Sequence, residues 1–283
     1  MPELPEVETV RRMLAEHALG RAIAEIRLSG KKLREPIPRG LAARVRGRSI
    51  EKARRHGKYL MLDLSGGVTL LSHLGMSGRW LFYPGDPDGT LIHVHVKFTF
   101  ADGSKLWFQD PRRFGLLRAV DTTKLKDDPA LSLLGPDPLA SPLDGEFFAS
   151  RAKGLKVAVK NFLLDQNRVA GIGNIYASEI LHRAGVDPRR PARAVPKEAW
   201  DRIAKETALV LGEAVARMGT TFSAYRTLWN EPGLYGDQLL VYDRAGEACR
   251  RCGTLIRRIV QGQRSTFFCP HCQSRARSKT AAV

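Results

Sequence analysis

All four cysteines of this chain stand in its last 35 residues, as Cys249-x2-Cys252, an interval of sixteen residues, and Cys269-x2-Cys272. Two Cys-x2-Cys knuckles at that separation have the spacing of a four-thiolate zinc site, closed by a hairpin that brings the knuckles together. The competing reading is a pair of disulfides, which needs an oxidising compartment that nothing else in the sequence suggests. In a variant of the zinc reading, His271 replaces one thiolate. The spacing predicts a zinc ribbon over 244–273 with one structural Zn2+ on Cys249, Cys252, Cys269 and Cys272, and a disordered basic tail over 274–283.

A ribbon of that size accounts for little of 283 residues, so further domains must precede it. Lys+Arg 46 against Asp+Glu 29 gives a formal charge of +17, which favours a polyanionic partner over a merely soluble basic protein. No apolar run approaches the roughly 18 residues of a membrane span, and no basic amphipathic helix is evident. The N-terminus is acidic and lacks the hydrophobic region of a secretory signal.

Along the chain the pattern period changes. Over 5–18, Val7, Val10, Leu14 and Ala18 recur at helical spacing before Gly20. From 22 to 120 the pattern is that of strands. Val94, Val96, Phe98 and Phe100 alternate with His93, His95, Lys97 and Thr99, predicting a strand with its polar side chains outward. Asp102-Gly103 and Ser65-Gly66-Gly67 are hairpin turns between such runs, so an antiparallel sandwich or barrel is expected. Prolines 129, 136, 138 and 142 mark a linker over 121–143. The remainder to 219 is helical, and its clearest helix runs from Pro196 to Gly219 with Trp200, Ile203, Ala204, Leu211, Ala214 and Val215 as a core stripe. The class is α+β multidomain: a domain over 2–120, a helical domain over 144–243 that ends in a loop over 220–243, and the ribbon.

Several segments carry chemistry. The chain opens Met1-Pro2-Glu3-Leu4-Pro5-Glu6. Removal of Met1 leaves Pro2 as a free secondary amine with a reference pKa of about 8, partly neutral at pH 7 and able to attack a sugar C1′. Glu3 and Glu6 are carboxylates placed to shuttle its protons, whereas alone Pro2 is an ordinary processed terminus. Lys58, in Arg54-Arg55-His56-Gly57-Lys58-Tyr59, reads equally as a salt-bridged surface lysine or as an acid/base near that amine. Leu74-Gly75-Met76-Ser77-Gly78 holds Met76 either as a buried gap-filler or as a wedge entering a base stack. Asp110-Pro111-Arg112-Arg113-Phe114-Gly115 fits the second idea, with Phe114 between bases and Arg112 on an exposed base edge. Gly171-Ile172-Gly173-Asn174 opens a helix whose amides and Asn174 side chain suit a phosphate, though a plain helix entry has the same pattern. Arg264 lies between the knuckles, where a metal-held hairpin presents it either to a phosphate or to solvent.

Taken together, these segments resemble one family, the bacterial formamidopyrimidine-DNA glycosylases (8-oxoguanine DNA glycosylase/AP lyases). The matching stretches are PELPEVET at 2–9, KY at 58–59, HLGMSG at 73–78, DPRRFG at 110–115, GIGNIYASE at 171–179, and the cysteine region with QRSTFFC, in that order. The resemblance implies an N-terminal helix and β-sandwich, a helix–two-turn–helix domain with a lesion-capping loop, and a zinc ribbon. It implies Pro2 as Schiff-base nucleophile, Glu3 as proton donor near the deoxyribose ring oxygen, and Glu6 as its support. On the same resemblance Lys58 would donate a proton in β-elimination and Arg264 in δ-elimination. It further implies that Met76, Arg112 and Phe114 fill the hole left by an everted nucleotide, Arg112 reading the opposite cytosine. His73, His93, Arg112, Lys156 and Asn174 are the DNA contacts it implies, Lys156 having Lys153 and Lys160 as near neighbours. The implied partner is duplex DNA bearing an oxidised purine or an abasic site, bound by a monomeric, cytoplasmic, nucleoid-associated bacterial enzyme with no membrane role. The resemblance departs at His56-Gly57, where relatives often carry Ala before the lysine, and in the variable 220–243 loop. An endonuclease VIII-like glycosylase for oxidised pyrimidines and a non-catalytic zinc-ribbon DNA-binding protein are the alternatives.

Overall fold

The computed structural model describes residues 1–87, 89–222 and 224–274; the tail expected to be disordered falls almost wholly on 275–283, outside the described residues. The chain divides into two compact units, Met1–Leu134 with Ala214–Gly236, and Gly135–Glu213 with Asp237–Val283.

The first unit begins with helix α1, Leu4–His17. Pro5 lies in its first turn, where a missing N–H is harmless. Val7, Val10 and Leu14 bury the expected stripe, and Ala18 closes the helix by donating its N–H to the Leu14 carbonyl. The strands are β1 (Ile23–Leu28), β2 (Ile50–His56), β3 (Tyr59–Leu64), β4 (Val68–His73), β5 (Arg79–Tyr83), β6 (Val94–Phe100), β7 (Lys105–Gln109) and β8 (Leu116–Asp121), with the one-turn helix α2 (Leu41–Val45) after β1. They form two four-stranded antiparallel sheets, ordered β1-β6-β7-β5 and β2-β3-β4-β8. One apolar core joins α1 to both, through residues such as Leu14, Leu62, Trp80, Phe98 and Phe108. Every residue of β4 is buried, because its outer face is covered by a second cluster of Met61, Leu71, Leu116 and Leu125. This is a sandwich, one of the two architectures that the alternation and turn signals allow.

The alternation expected in β6 breaks at its start. His93 stands before the strand with φ 62°, and His95 is 2% exposed rather than facing solvent. Its Nε2–H donates to the Asp110 carbonyl at 3.0 Å and its Nδ1 faces the Ser29 hydroxyl at 3.1 Å. A polar residue can sit inside when both ring nitrogens are satisfied, and strand periodicity carries no information on that. Residues 214–236 also belong to this unit: Tyr225 and Leu228 join its core, and the Phe82 N–H donates to the Leu228 carbonyl at 3.0 Å.

The second unit contains helices α3 (Gly145–Ala152), α4 (Val159–Leu164) and α5 (Asn174–Arg183), and most of α6 (Lys197–Ala216). Asp144 caps α3 by accepting the Phe147 N–H at 2.7 Å. The predicted stripe of α6 is buried throughout, and Thr207 satisfies its hydroxyl on the Ile203 carbonyl. Phe148, Phe162 and Trp200 pack ring on ring at its centre. Strands β9 (Arg257–Gln261) and β10 (Arg264–Phe268) form the terminal ribbon. No helix among the described residues is long and apolar enough to cross a membrane.

Candidate active site

Pro2 is buried at the entry to α1 while Met1 is 42% exposed. Glu3 is the N-cap residue of the helix, and its N–H donates to Glu6 Oε2 at 2.7 Å. The other oxygen, Glu6 Oε1, accepts the Thr220 N–H, also at 2.7 Å. Both carboxylates are almost fully buried. A helix N-terminus favours negative charge, so α1 supports two acids beside Pro2. The preceding Gly219 has φ +78°, and a Cβ there would lie 2.6 Å from Glu6 Oε1, so only glycine lets the segment approach the carboxylate.

Lys58 lies in the β2–β3 hairpin, between the paired residues His56 and Tyr59, and is 7% exposed. Gly57 supplies the positive φ of 56° that a two-residue hairpin turn requires, which gives the His56-Gly57 departure a local conformational reason. The surface-lysine reading of Lys58 is therefore wrong as to exposure. The cross-strand pair of Tyr59 is His73, with ring centroids 4.7 Å apart. His73 Nδ1 accepts the Gly75 N–H at 2.9 Å, which puts the ring proton on Nε2. Burial, with the positive Arg34 and Lys58 nearby, pushes the His73 pKa down to about 3. The imidazole is neutral, an N–H donor and not a cation.

Met76 is 38% exposed and Phe114 44%, so the buried gap-filler reading of Met76 does not hold. The two turns that carry them are locked together. Asp110, fully buried, accepts the Ser77 hydroxyl at 2.5 Å and the Gly115 N–H at 2.7 Å. The Arg112 N–H donates to Ser77 Oγ at 3.0 Å. A Cβ on Gly75 would stand 2.4 Å from the Phe114 carbonyl, so the turns touch backbone to backbone. The Arg112 guanidinium sits 5.0 Å from the Phe114 ring centroid, an arrangement that stiffens both side chains. His93 is exposed beside this assembly, and its carbonyl accepts the Asp110 N–H at 2.9 Å.

In the second unit, Asn174 is the first residue of α5. Its Oδ1 accepts from Lys160 Nζ at 2.6 Å, and its Nδ2 donates to the Ser265 carbonyl at 2.9 Å. Lys160 is fully buried and also reaches Ser265 O and Thr266 Oγ1, so this lysine holds the ribbon. Lys156 and Lys153 are exposed. Gly262 and Gln263 form the β9–β10 turn with φ 53° and 61°, and Arg264 follows it, exposed. Positive φ at both central residues is the mark of a type I′ hairpin.

None of the four cysteines is in a disulfide, and their sulfurs all lie within 4.8 Å of one another. A tetrahedral zinc with bonds of about 2.3 Å needs sulfurs about 3.8 Å apart. The Cys252–Cys269 and Cys249–Cys272 separations, 3.4 and 4.0 Å, bracket that value, so the donor set fits the ion. His271 is not in the cluster.

The family model for the formamidopyrimidine-DNA glycosylase N-terminal domain matches residues 1–117, that for its H2TH domain 134–226, and that for the zinc finger found in FPG and IleRS 246–275. The formamidopyrimidine-DNA glycosylase of Xanthomonas axonopodis pv. citri (strain 306) is 42% identical over 275 residues, covering 96% of this chain and all of the relative. That of Methylococcus capsulatus is 43% identical over 274 residues with the same coverage. The chain belongs to the formamidopyrimidine-DNA glycosylase family. Among solved family members, the MutM (FPG) protein of Thermus thermophilus superposes with a TM-score of 0.86 at 37% identity, covering 98% of this chain and 100% of its own. A Lactococcus lactis FPG variant solved with Fapy-dG-containing DNA gives 0.89 at 30% identity, covering 97% of this chain and 100% of that one. The four-cysteine zinc ribbon of this glycosylase is a structural zinc site.

Residues that the sequence reading did not single out hold much of this glycosylase in place. Glu179, fully buried, accepts the N–H groups of Leu240, Val241 and Tyr242 at 2.8, 3.0 and 2.8 Å. Gln166 bridges Leu164 O, Ile172 O and the Gly171 N–H, and so shapes the GIGN turn. A carboxylate among the apolar residues of α5 was a readable signal for Glu179. Gln166, in a polar turn, gave none.

Proposed function

We infer that this glycosylase excises oxidised purines, 8-oxoguanine and formamidopyrimidines, from duplex DNA and then cleaves the strand as an AP lyase in base-excision repair. The observation that carries the reading is the placement of Pro2 and Glu3 at the buried N-cap of α1, in a chain matching all three domain models of the family.

A damaged base inside a duplex is out of reach, so it must be everted, which takes a few kcal/mol. Met76, Arg112 and Phe114 fill the space it leaves, and Arg112 pairs with the orphaned cytosine. Their shared, locked turns favour this role, since a wedge that moved freely would lose conformational entropy on insertion. Once Met1 is removed, the Pro2 nitrogen attacks C1′ while Glu3 protonates near the ring oxygen. The C1′–base bond breaks, the base leaving with the proton that the Pro2 nitrogen gives up; the C1′–O4′ bond then opens onto the proton from Glu3, and the C1′–N bond becomes an iminium. Loss of a 2′ proton then expels the 3′ phosphate, with Lys58 serving β-elimination. A second elimination, served by Arg264, releases the 5′ phosphate. Glu6 holds the first turn of α1. The neutral His73 and the exposed His93, Lys156 and α5 N-terminal amides engage the strand. Zinc takes no part in the chemistry, because four thiolates leave it no open position. A bacterial cytoplasm, close to the nucleoid, is the setting that such a substrate implies.

The test is borohydride trapping on duplexes with 8-oxoguanine opposite cytosine. A covalent complex is expected from the protein, and little or none from Pro2→Gly. Normal binding without a trapped band would point to a DNA-binding module instead. Lactococcus lactis FPG has also been solved with oxidised-pyrimidine DNA, so a thymine glycol duplex belongs beside the first substrate. Faster cleavage of thymine glycol would favour the endonuclease VIII-like reading.

A further inference from the structure

We propose that His182 is a positioning residue for the zinc ribbon, its Nε2–H donating to the Cys249 sulfur and fixing the first knuckle on the last turn of α5. The imidazole is fully buried, and its Nε2 lies 3.6 Å from Cys249 Sγ. Its Nδ1 has no hydrogen-bond partner among the described residues. A neutral imidazole carries one proton. On Nδ1 that proton would be an orphaned buried donor, and the Nε2 lone pair would face a thiolate. On Nε2 it meets the sulfur, and the atom left over is only an acceptor. Orphaned buried N–H groups are the rarer case, so the second arrangement is favoured.

Four thiolates around a dication carry a net charge of 2−, and here Cys249 and Cys269 are buried. A donor aimed at one sulfur offsets part of that charge and sets its direction, which is how groups behind the ligands tune a metal site. The same stretch of chain makes further ties. Arg251 Nη1 reaches the His182 carbonyl at 3.4 Å, and Gln273 joins the Cys269 N–H to the Val186 carbonyl at 2.9 and 2.8 Å. At the other end of α5, Asn174 holds Ser265 beside Arg264. The ribbon is thus tied to both ends of one helix, and among these ties His182 is the one that reaches a ligand sulfur.

The test loads the full chain with zinc and follows its release to an excess of chelator. His182→Phe keeps a ring and removes the donor; His182→Gln restores an N–H. Release from the Phe variant should be about 10-fold faster, with most of the difference recovered in the Gln variant. Equal release from the Phe variant and the parent overturns the proposal. So does equal release from the Phe and Gln variants, which would assign the effect to packing. A second measurement needs no variant: nitrogen-15 NMR of the zinc-loaded parent should show His182 protonated at Nε2 and bare at Nδ1. The opposite tautomer overturns the proposal whatever the variants do.

Discussion

Glu6 Oε1 accepts the backbone N–H of Thr220 at 2.7 Å, joining the first turn of α1 to a residue 214 positions away. The same carboxylate holds the Glu3 N–H, so one acid fixes both the helix that carries Pro2 and the start of the 220–236 segment. Glu6→Ala strips both amides of this acceptor. It should lower stability by about 1–3 kcal/mol in denaturant unfolding, and hydrogen exchange at Thr220 should accelerate. Unchanged exchange at Thr220 would show that the tie contributes nothing.

Gly75→Ala tests the locked turns. The added Cβ meets the Phe114 carbonyl at 2.4 Å, at a position with φ +62°, so the Phe114 backbone must move. Overpacking of this kind destabilises by about 1–3 kcal/mol. Gly103→Ala is the control, since Gly103 shares the positive φ but has nothing within 4 Å. Affinity for an abasic duplex should fall in the first variant and hold in the second. Equal affinities would separate the wedge from its turn.

Acid should destabilise the sandwich in two steps. The His73 pKa falls from 6.5 to about 3 on folding, chiefly through burial, so the unfolded chain binds the extra proton between these values. Its contribution is complete above pH 6.5 and disappears as pH drops toward 3. Burial raises the Glu8 pKa, but hydrogen bonds from Arg11, Arg12 and Arg55 outweigh it and hold the carboxyl at about 2 against an ordinary 4.5. That contribution is present above pH 4.5 and is lost between there and about 2. Unfolding midpoints measured across pH should show the upper step shrink in His73→Gln and the lower step shrink in Glu8→Gln. An upper step of equal size in His73→Gln and the parent would assign the titration elsewhere.

Arg264→Ala should leave base excision close to normal and slow only the second strand cut. On a sequencing gel, products ending in the unsaturated aldehyde should accumulate over those ending in phosphate. A proportional loss of both products would place Arg264 in binding instead of elimination.

With a formal charge of +17, binding should depend steeply on salt. If about six phosphates are neutralised, affinity should fall roughly 10³-fold between 50 and 200 mM salt. A flat titration would contradict contact through a basic surface.

The sequence alone carried what rests on local periodicity, spacing and turn chemistry. Val7, Val10 and Leu14 announce α1 at helical spacing, Asp102-Gly103 announces the β6–β7 hairpin, and the cysteine spacing announces the ribbon, because each signal lies within one element, one turn or one hairpin. Resemblance supplied the roles of Pro2, Glu3 and Lys58. Tertiary structure alone decided which polar groups are paired inside. Glu6 with Thr220, Asp110 with Ser77 and Gly115, Lys160 with Thr266, and His182 with Cys249 are partnerships between distant positions. A buried charge or imidazole is tolerated only where the fold brings it a partner, and no pattern along the chain encodes who that partner is.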